Sequence, residues 1–469
     1  VKEFIKENTL FLISVSAALL LGIYEITGFP VRTWDEGRLA VNAFEMHENG
    51  DWLATHYAGA EDTWNTKPPL VIWLQVISMK IFGVNDFAFR LPTAIAFVFL
   101  VAMIFRFSVS NLCSENNAFL IILITLTTGG LMREHVFRTG DYDAFLVVAV
   151  TGYAFSFYEY LVYKKHEDLI WFTVYLALAG LVKGIAGLIP LAGIGLFVLF
   201  FSFNSLKDYR IYLAGIAGML IIAAYYFVRE KHSPGYLGLI NNNELAGRFA
   251  AVTEEHNWPW YYYLLRIFGK QFFPWFLLIP PAFYLVITEK NAGRKQLLIY
   301  LLTVCVIFIL VHSSSRSKLT WYHVPVFPFL ILVVGITLLK LAEILKYRKI
   351  VLTLVFLTAF VNFIIVSENE KQKLKEEPNR INLRDKFPDI LKETRLYTYC
   401  GLASPVVFGI QKINYHEGAR ITVKPEPDFR INDSVVVFNG VNEHAMNKYE
   451  GEKVFYSQDV SVYRILSNK

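Results

Sequence analysis

The residues most able to do chemistry are acids and bases set in a chain that is otherwise largely apolar. Residues 33–69 read TWDEGRLAVNAFEMHENGDWLATHYAGAEDTWNTKPP. Asp35 and Glu36 stand side by side and Arg38 follows. Lys67 precedes Pro68-Pro69, which pin the chain and so fix where the lysine points. Further on come Asp141 and Asp143 at the opening of an apolar run, and Lys183 between two apolar runs. Arg248 and His256 lie in a polar stretch, and Lys318 and Tyr322 stand four apart. A carboxylate in such a set can orient an acceptor or take its proton. Cations and a phenol hydroxyl can hold a leaving group that gains negative charge. Asp35 is the first choice for the carboxylate role, with Glu36 and Asp143 beside it.

Most of these residues also have a plainer explanation. Thr33-x-x-Glu36 fits a capping box. In the helix it predicts, Leu39, Ala40, Ala43, Phe44 and Met46 share one face and Arg38, Asn42, Glu45 and Asn49 the other, with Gly50 as C-cap. Helix capping and dipole stabilisation on a helix lying along the bilayer then account for one of the two acids, Glu36 better than Asp35. Asp141 or Asp143 could cap the apolar run that follows. Lys183-Gly184 could be a tight loop whose lysine snorkels to headgroups, although ionisable residues within membrane runs are functional by default. The aromatic run 258–263 suits an interfacial belt, which accounts poorly for Arg248 and His256.

The elements that must position these residues are membrane spans. Apolar residues make up 55% of the 469 and charged residues only 18%, which excludes an ordinary soluble domain. The net charge of +5 suits basic membrane-flanking loops rather than nucleic acid. Cys113, Cys305 and Cys400 fall in a loop, a span and the tail, so neither a disulfide framework nor a metal cluster is indicated. Runs of spanning length lie near 9–27, 90–109, 116–132, 143–163, 169–182, 184–203, 208–228, 264–288, 296–312, 320–340 and 349–367, about eleven in all. The first reads as a retained anchor rather than a signal peptide. Residues 70–82 are apolar but short, and are assigned to the interface with Trp73 as anchor.

With the N-terminus cytoplasmic, the basic clusters Lys164-Lys165, Lys207 with Arg210, Arg294-Lys295 and Arg348-Lys349 all fall inside. The first outer loop (28–89), the large outer loop (229–263) and every candidate residue then share the outer face. The membrane part is residues 1–367. Residues 368–394 are strongly charged. Short β-like runs follow at 396–399, 406–410, 434–438, 453–456 and 460–465, so 368–469 is expected to form a small soluble α/β domain outside the membrane.

The ordered series Asp35-Glu36-x-Arg38, Gly50-Asp51-Trp52, Lys67-Pro68-Pro69-Leu70 with Trp73, Phe82-Gly83 and Arg90-Leu91-Pro92 resembles the first outer loop of one transferase superfamily. Its members are the lipid A aminoarabinose transferases and the protein O-mannosyltransferases, polytopic GT-C glycosyltransferases that use polyprenyl-phosphate sugars. Leu181-Val182-Lys183-Gly184 resembles the family's Thr-Lys-Gly-Pro segment, with Val182 for Thr and Ile185 for Pro. Arg248-Phe249, His256 and Pro259-x-x-Tyr262-Tyr263 resemble elements of its large external loop. Residues 313–325 resemble its Ser…Lys-Leu-Pro-x-Tyr-x-x-Pro, with Thr320 in place of the first Pro.

The resemblance implies a GT-C fold of about eleven transmembrane helices and an inverting transfer at the periplasmic face of a bacterial inner membrane. The donor would be a polyprenyl-phosphate sugar, and the acceptor lipid A or another glycolipid. Lys67, Lys183, Arg248, Lys318 and Tyr322 would hold the donor phosphate, Asp35 would serve the acceptor, and Arg38, Asp141 and His256 would play secondary parts. Asp35 and Asp143 could hold a divalent ion, although two carboxylates are a weak metal signature. A Ser or Thr acceptor on protein is an alternative. A lipid or polysaccharide transporter is the rival from another class, and would call for repeated halves that the sequence does not show.

Overall fold

The computed structural model describes residues 8–24, 26–29, 31–133, 135–244, 258–269, 271–345, 348–375, 396–398, 404–417, 421–424, 426–438, 443–456 and 460–468. Among these the chain folds as two compact units. One is built from Val1–Tyr24, Thr66–Leu70 and Thr93–Glu370, the other from Glu25–Asn65, Val71–Pro92 and Lys371–Lys469. Most of the loop expected over 28–89 thus groups with the tail, while Thr66–Leu70 belongs to the first unit.

The first unit is helical. Seven helices among the described residues are long and apolar enough to cross a membrane: Asp86–Asn111, Tyr142–Tyr163, His166–Leu188, Tyr209–His232, Ala292–Ser314, Val324–Glu343 and Lys349–Glu368. The remaining expected runs fall on the shorter apolar helices Thr9–Ile23, Glu115–Leu126, Pro190–Phe201 and Trp275–Thr288. The run expected as one span over 264–288 is interrupted. Tyr262–Ile267 is a separate short helix, and the next apolar helix starts only at Trp275. Pro274 precedes the 3₁₀ turn Trp275–Leu278, and Pro280-Pro281 open the α-helix Ile279–Thr288, where proline is best tolerated. Small residues let the helices approach. A Cβ on Gly152 would fall 2.4 Å from the Tyr175 ring, and one on Gly180 would fall 2.3 Å from the Ile222 side chain.

In the second unit the expected helix is present as Asp35–Asn49, closed by Gly50 at φ 72°, the left-handed cap that glycine favours. The capping box is not formed, because the N-cap is Trp34 rather than Thr33. The Glu36 carboxylate instead accepts the Arg32 N–H at 2.9 Å. It also receives both arms of Arg90, at 2.6 Å and 2.9 Å. Arg90 is fully buried and donates further to the carbonyls of Ile26 and Phe29, at 2.8 Å and 2.9 Å. Trp73, expected as an interfacial anchor, donates its indole N–H to the Trp52 carbonyl.

The tail forms a five-stranded sheet from β1 (Leu396–Thr398), β2 (Ile421–Val423), β3 (Ser434–Phe438), β4 (Tyr449–Tyr456) and β5 (Val460–Asn468), in the order β2-β1-β3-β5-β4. The β2-β1-β3 pairs are parallel and the rest antiparallel. Residues 406–410, expected as a strand, lie in the helix Ser404–Glu417. Pro405 sits in its first turn, and Val406, Val407, Ile410 and Ile413 are buried at helical spacing.

That helix packs on Asp35–Asn49. A Cβ on Gly37 would meet Ser404 at 2.9 Å and Pro405 at 3.0 Å. The Tyr57 and Ser404 hydroxyls are 3.2 Å apart, Gln411 donates to Glu45 at 3.0 Å, and Lys412 pairs with Asp86 at 2.5 Å.

Removing one member of a fully buried ion pair leaves an uncompensated charge, at a cost of about 3–5 kcal/mol. Arg90→Met should therefore lower the melting temperature of the purified chain in detergent markedly. The double variant Glu36→Leu/Arg90→Met should recover much of the loss. A single variant as stable as the wild type would contradict this account.

Candidate active site

A cavity of about 600 Å³ opens within the first unit. Its wall is apolar over most of its extent, through Leu146, Ile189, Met219, Ile222, Phe227, Leu237, Ile240 and Val311. Polar groups gather among Lys67, Asp143, Lys183, Glu244, His312 and Tyr322. Four of the residues singled out from sequence, Lys67, Asp143, Lys183 and Tyr322, are thus brought to one cavity from four separate segments.

Each is placed by its element. Lys67 stands before Pro68-Pro69, with its Nζ 3.9 Å from the Glu244 carboxylate and 5.3 Å from the centroid of the Tyr142 ring. Asp143 sits in the first turn of Tyr142–Tyr163, behind Asp141, whose side chain caps that helix by accepting the Tyr142 N–H at 2.7 Å. Lys183 ends the helix His166–Lys183, and Gly184, at φ 54°, turns the chain there. Both Asp143 oxygens accept from Lys183 Nζ, at 2.7 Å and 2.6 Å, and both side chains are buried. The Lys183 ammonium also lies 5.1 Å from the centroid of the Tyr322 ring.

Asp141 is therefore a cap, as its plainer reading expects. It has a further partner that sequence reasoning missed, His135, whose Nδ1 is 2.5 Å away. His135 holds a left-handed backbone at φ 63° and stacks on Trp321 at 3.6 Å. Burial raises the Asp141 carboxyl, but the charge and hydrogen bond of His135, with Lys183 beyond, hold it below its ordinary value. Glu244 and His312 were also missed. Glu244 follows a run of three asparagines, and His312 lies inside an apolar run, so neither has a motif around it.

Lys318 does not line the cavity. It is buried, and its Nζ donates to the Ser315 carbonyl at 2.5 Å, at the C-terminal end of Ala292–Ser314, where a cation meets the negative end of the helix dipole. Burial pushes its ammonium below the ordinary value. The one-face expectation for Lys318 and Tyr322 fails because the span's helical structure begins only at Val324, leaving both residues in the turn before it. Arg248 and His256 lie outside the described residues.

The other candidates belong to the second unit. Asp35 opens its helix and is half-buried. Glu36, a catalytic candidate from sequence, is instead committed to Arg90 and the Arg32 N–H. Arg38 grips Asp62 with two hydrogen bonds of 2.8 Å and 2.6 Å and covers the Tyr57 ring. Asn42 donates to the same carboxylate at 3.0 Å. Burial raises the Asp62 carboxyl, but its bonds to Arg38 and Asn42 outweigh that and hold it low. Arg38 and Glu36 thus build the loop, and Asp35 is left as its catalytic candidate. The residues do not favour a divalent ion at Asp143, because both its oxygens already serve the Lys183 ammonium.

Residues 66–227 match the family described as dolichyl-phosphate-mannose-protein mannosyltransferase. An undecaprenyl phosphate-alpha-4-amino-4-deoxy-L-arabinose arabinosyl transferase of Aeromonas hydrophila is 28% identical over 311 residues, 64% of this chain and 54% of its own length. An uncharacterized protein of Aquifex aeolicus is 26% identical over 68% of this chain and 62% of its own length. The chain's sequence match thus spans little more than half of these relatives. The fold match is broader. The crystal structure of ArnT from Cupriavidus metallidurans bound to undecaprenyl phosphate superposes with a TM-score of 0.74 at 14% identity, covering 97% of this chain and 98% of that one. The oligosaccharyltransferase of Archaeoglobus fulgidus gives 0.54 at 10% identity, covering 99% and 75%. The chain is a polytopic helical membrane protein that resembles GT-C glycosyltransferases of the aminoarabinose-transferase and O-mannosyltransferase kind.

Proposed function

We propose that this chain is an inverting glycosyltransferase that moves a sugar from a polyprenyl-phosphate donor to lipid A or another glycolipid at the periplasmic face of a bacterial inner membrane. The observation that carries the reading is the cavity's division into an apolar wall and a charged group containing two lysines and a tyrosine. An isoprenoid needs the first and its phosphate the second. The donor lipid named in the arabinosyl transferase relatives has these two parts.

In the reaction the acceptor oxygen attacks the anomeric carbon from the side opposite the phosphate. The carbon–oxygen bond to phosphate breaks, and its electron pair leaves with polyprenyl phosphate. That leaving group is a weak base and needs no general acid. Its growing charge is met by Lys67, Lys183 and Tyr322, joined by Arg248. Asp143 holds Lys183 in place before the phosphate arrives. Asp35 orients the acceptor or removes its proton, and His256 is assigned to the acceptor side. A protein Ser or Thr acceptor is the second reading, favoured by the mannosyltransferase description of residues 66–227. A hydroxyl needs a base, whereas a phosphate acceptor is already nucleophilic.

The direct test incubates membranes containing the chain with radiolabelled polyprenyl-phosphate sugars and follows release of polyprenyl phosphate. Asp35→Asn should abolish release while donor binding stays near wild type. Wild-type turnover in this variant would remove Asp35 from the chemistry.

Lys67→Ala should weaken donor binding by the worth of a charge-assisted hydrogen bond, about 1.5–3 kcal/mol. Lys318→Met should leave donor affinity unchanged and lower only stability, because Lys318 caps a helix end. Titration of a fluorescent polyprenyl phosphate against both variants checks this. Equal loss in the two would return Lys318 to the phosphate site.

The orientation predicts that a reporter fused after Ser367 is active only if it functions in the periplasm. A cytoplasmic reporter active there would overturn the shared outer face.

A further inference from the structure

His312 lines the cavity, and no role has been assigned to it above. It is mostly buried on Ala292–Ser314, with its ring set against Phe308 at 4.3 Å, Tyr322 at 5.9 Å and Tyr263 at 6.2 Å between centroids. Nδ1 lies 3.1 Å from the Phe308 carbonyl. A carbonyl only accepts, so Nδ1 carries the hydrogen, and in the neutral ring Nε2 is left with a lone pair. Nε2 makes no hydrogen bond among the described residues, although the ring borders the cavity. Tyr322 neighbours both His312 and the phosphate-binding cation, since its ring is also 5.1 Å from Lys183 Nζ.

An acceptor at this place needs a ligand that donates. The isoprenoid has no O–H or N–H. The phosphodiester of a charged donor has only acceptor oxygens, which a lone pair repels. Within a polyprenyl-phosphate sugar, only the sugar carries hydroxyl or amino hydrogens. The geometry points to His312 as the residue that reads the donor's sugar, accepting a hydrogen bond at Nε2 from a sugar hydroxyl or amine while Lys67 and Lys183 hold the phosphate. This rests on the transferase reading of the cavity and adds to it a specificity determinant separate from the phosphate contacts.

The test compares binding of two kinds of lipid to the full chain in detergent: undecaprenyl phosphate alone, and undecaprenyl phosphate carrying a hexose or an aminopentose. The variants are His312→Phe, which keeps a ring but no acceptor, and His312→Gln, which keeps an acceptor. Wild type should hold at least one sugar-bearing lipid more tightly than undecaprenyl phosphate. His312→Phe should bind undecaprenyl phosphate as wild type does and bind that sugar lipid about tenfold more weakly, whereas His312→Gln should retain most of the preference. His312→Leu carries the same comparison if the phenyl ring does not fit.

Equal weakening of both lipids in the Phe and Leu variants, as an imidazolium on the phosphate or a purely structural ring would give, overturns the assignment. So does an unchanged preference. A wild type that binds neither lipid overturns the transferase reading and this proposal with it.

Discussion

A lysine at the end of a membrane helix, with little of its side chain exposed, needs an anion within reach. Lys183 meets that constraint through Asp143, and much of the first unit's local architecture follows. Asp143 must open its helix at the same depth at which His166–Lys183 closes, so the two helices pack along their length, with Gly152 giving room to Tyr175. Asp141 must then be the cap, because Asp143 is already engaged. Such a pair contributes little net stability, since desolvation offsets most of the attraction. What it does provide is a cation held at a fixed point beside an apolar cavity.

The second unit solves the same problem with different residues and a different result. Glu36 and Arg90 are at least as buried as Asp143 and Lys183. Arg90 also satisfies two backbone carbonyls, so the pair ties residues 26–36 to the start of Asp86–Asn111. Two buried ion pairs in one chain therefore do different work. The one bordering open space can exchange its partner for a ligand. The one whose arginine also serves two backbone carbonyls holds the fold.

The spans were legible because a run of apolar residues has few alternatives to a helix in lipid. Where the reading failed, the local signal was genuine but a stronger term decided. Glu36 sits where a capping box predicts it, yet the helix starts after Trp34 and the carboxylate serves the Arg32 N–H and the buried Arg90 instead. Residues 406–410 have strand-like composition, but Pro405 and the buried spacing through Ile413 favour a helix. Lys318 and Tyr322 are correctly spaced for one helical face, but the helix has not yet begun there. Lys67, Asp143, Lys183 and Tyr322 were found because their types and order carry a family resemblance. His135, Glu244 and His312 were missed because each gains its meaning only from tertiary neighbours.

The helix Asp35–Asn49 shows how far a pattern can be right about structure and wrong about surroundings. Its apolar and polar faces lie where the periodicity puts them, and that pattern suggests a helix resting on a bilayer with its polar side in water. Most of both faces is in fact buried in protein, Asn42 and Glu45 of the polar face included, with Arg38 half-buried and Asn49 exposed. Asn42 donates to the His56 carbonyl and to Asp62, and Glu45 accepts from the Gly59 N–H and from Gln411. Burial raises the Glu45 carboxyl, and those hydrogen bonds partly offset it. An interfacial helix can roll and shift in depth, because lipid offers no directional contacts. A helix whose polar face is bonded residue by residue cannot. The tail helix Ser404–Glu417 supplies one of those bonds, from Gln411, and close contact at Gly37 leaves no room between the two helices. The tail helix thereby fixes the helix that carries Asp35, and any side chain on that helix is held in one orientation.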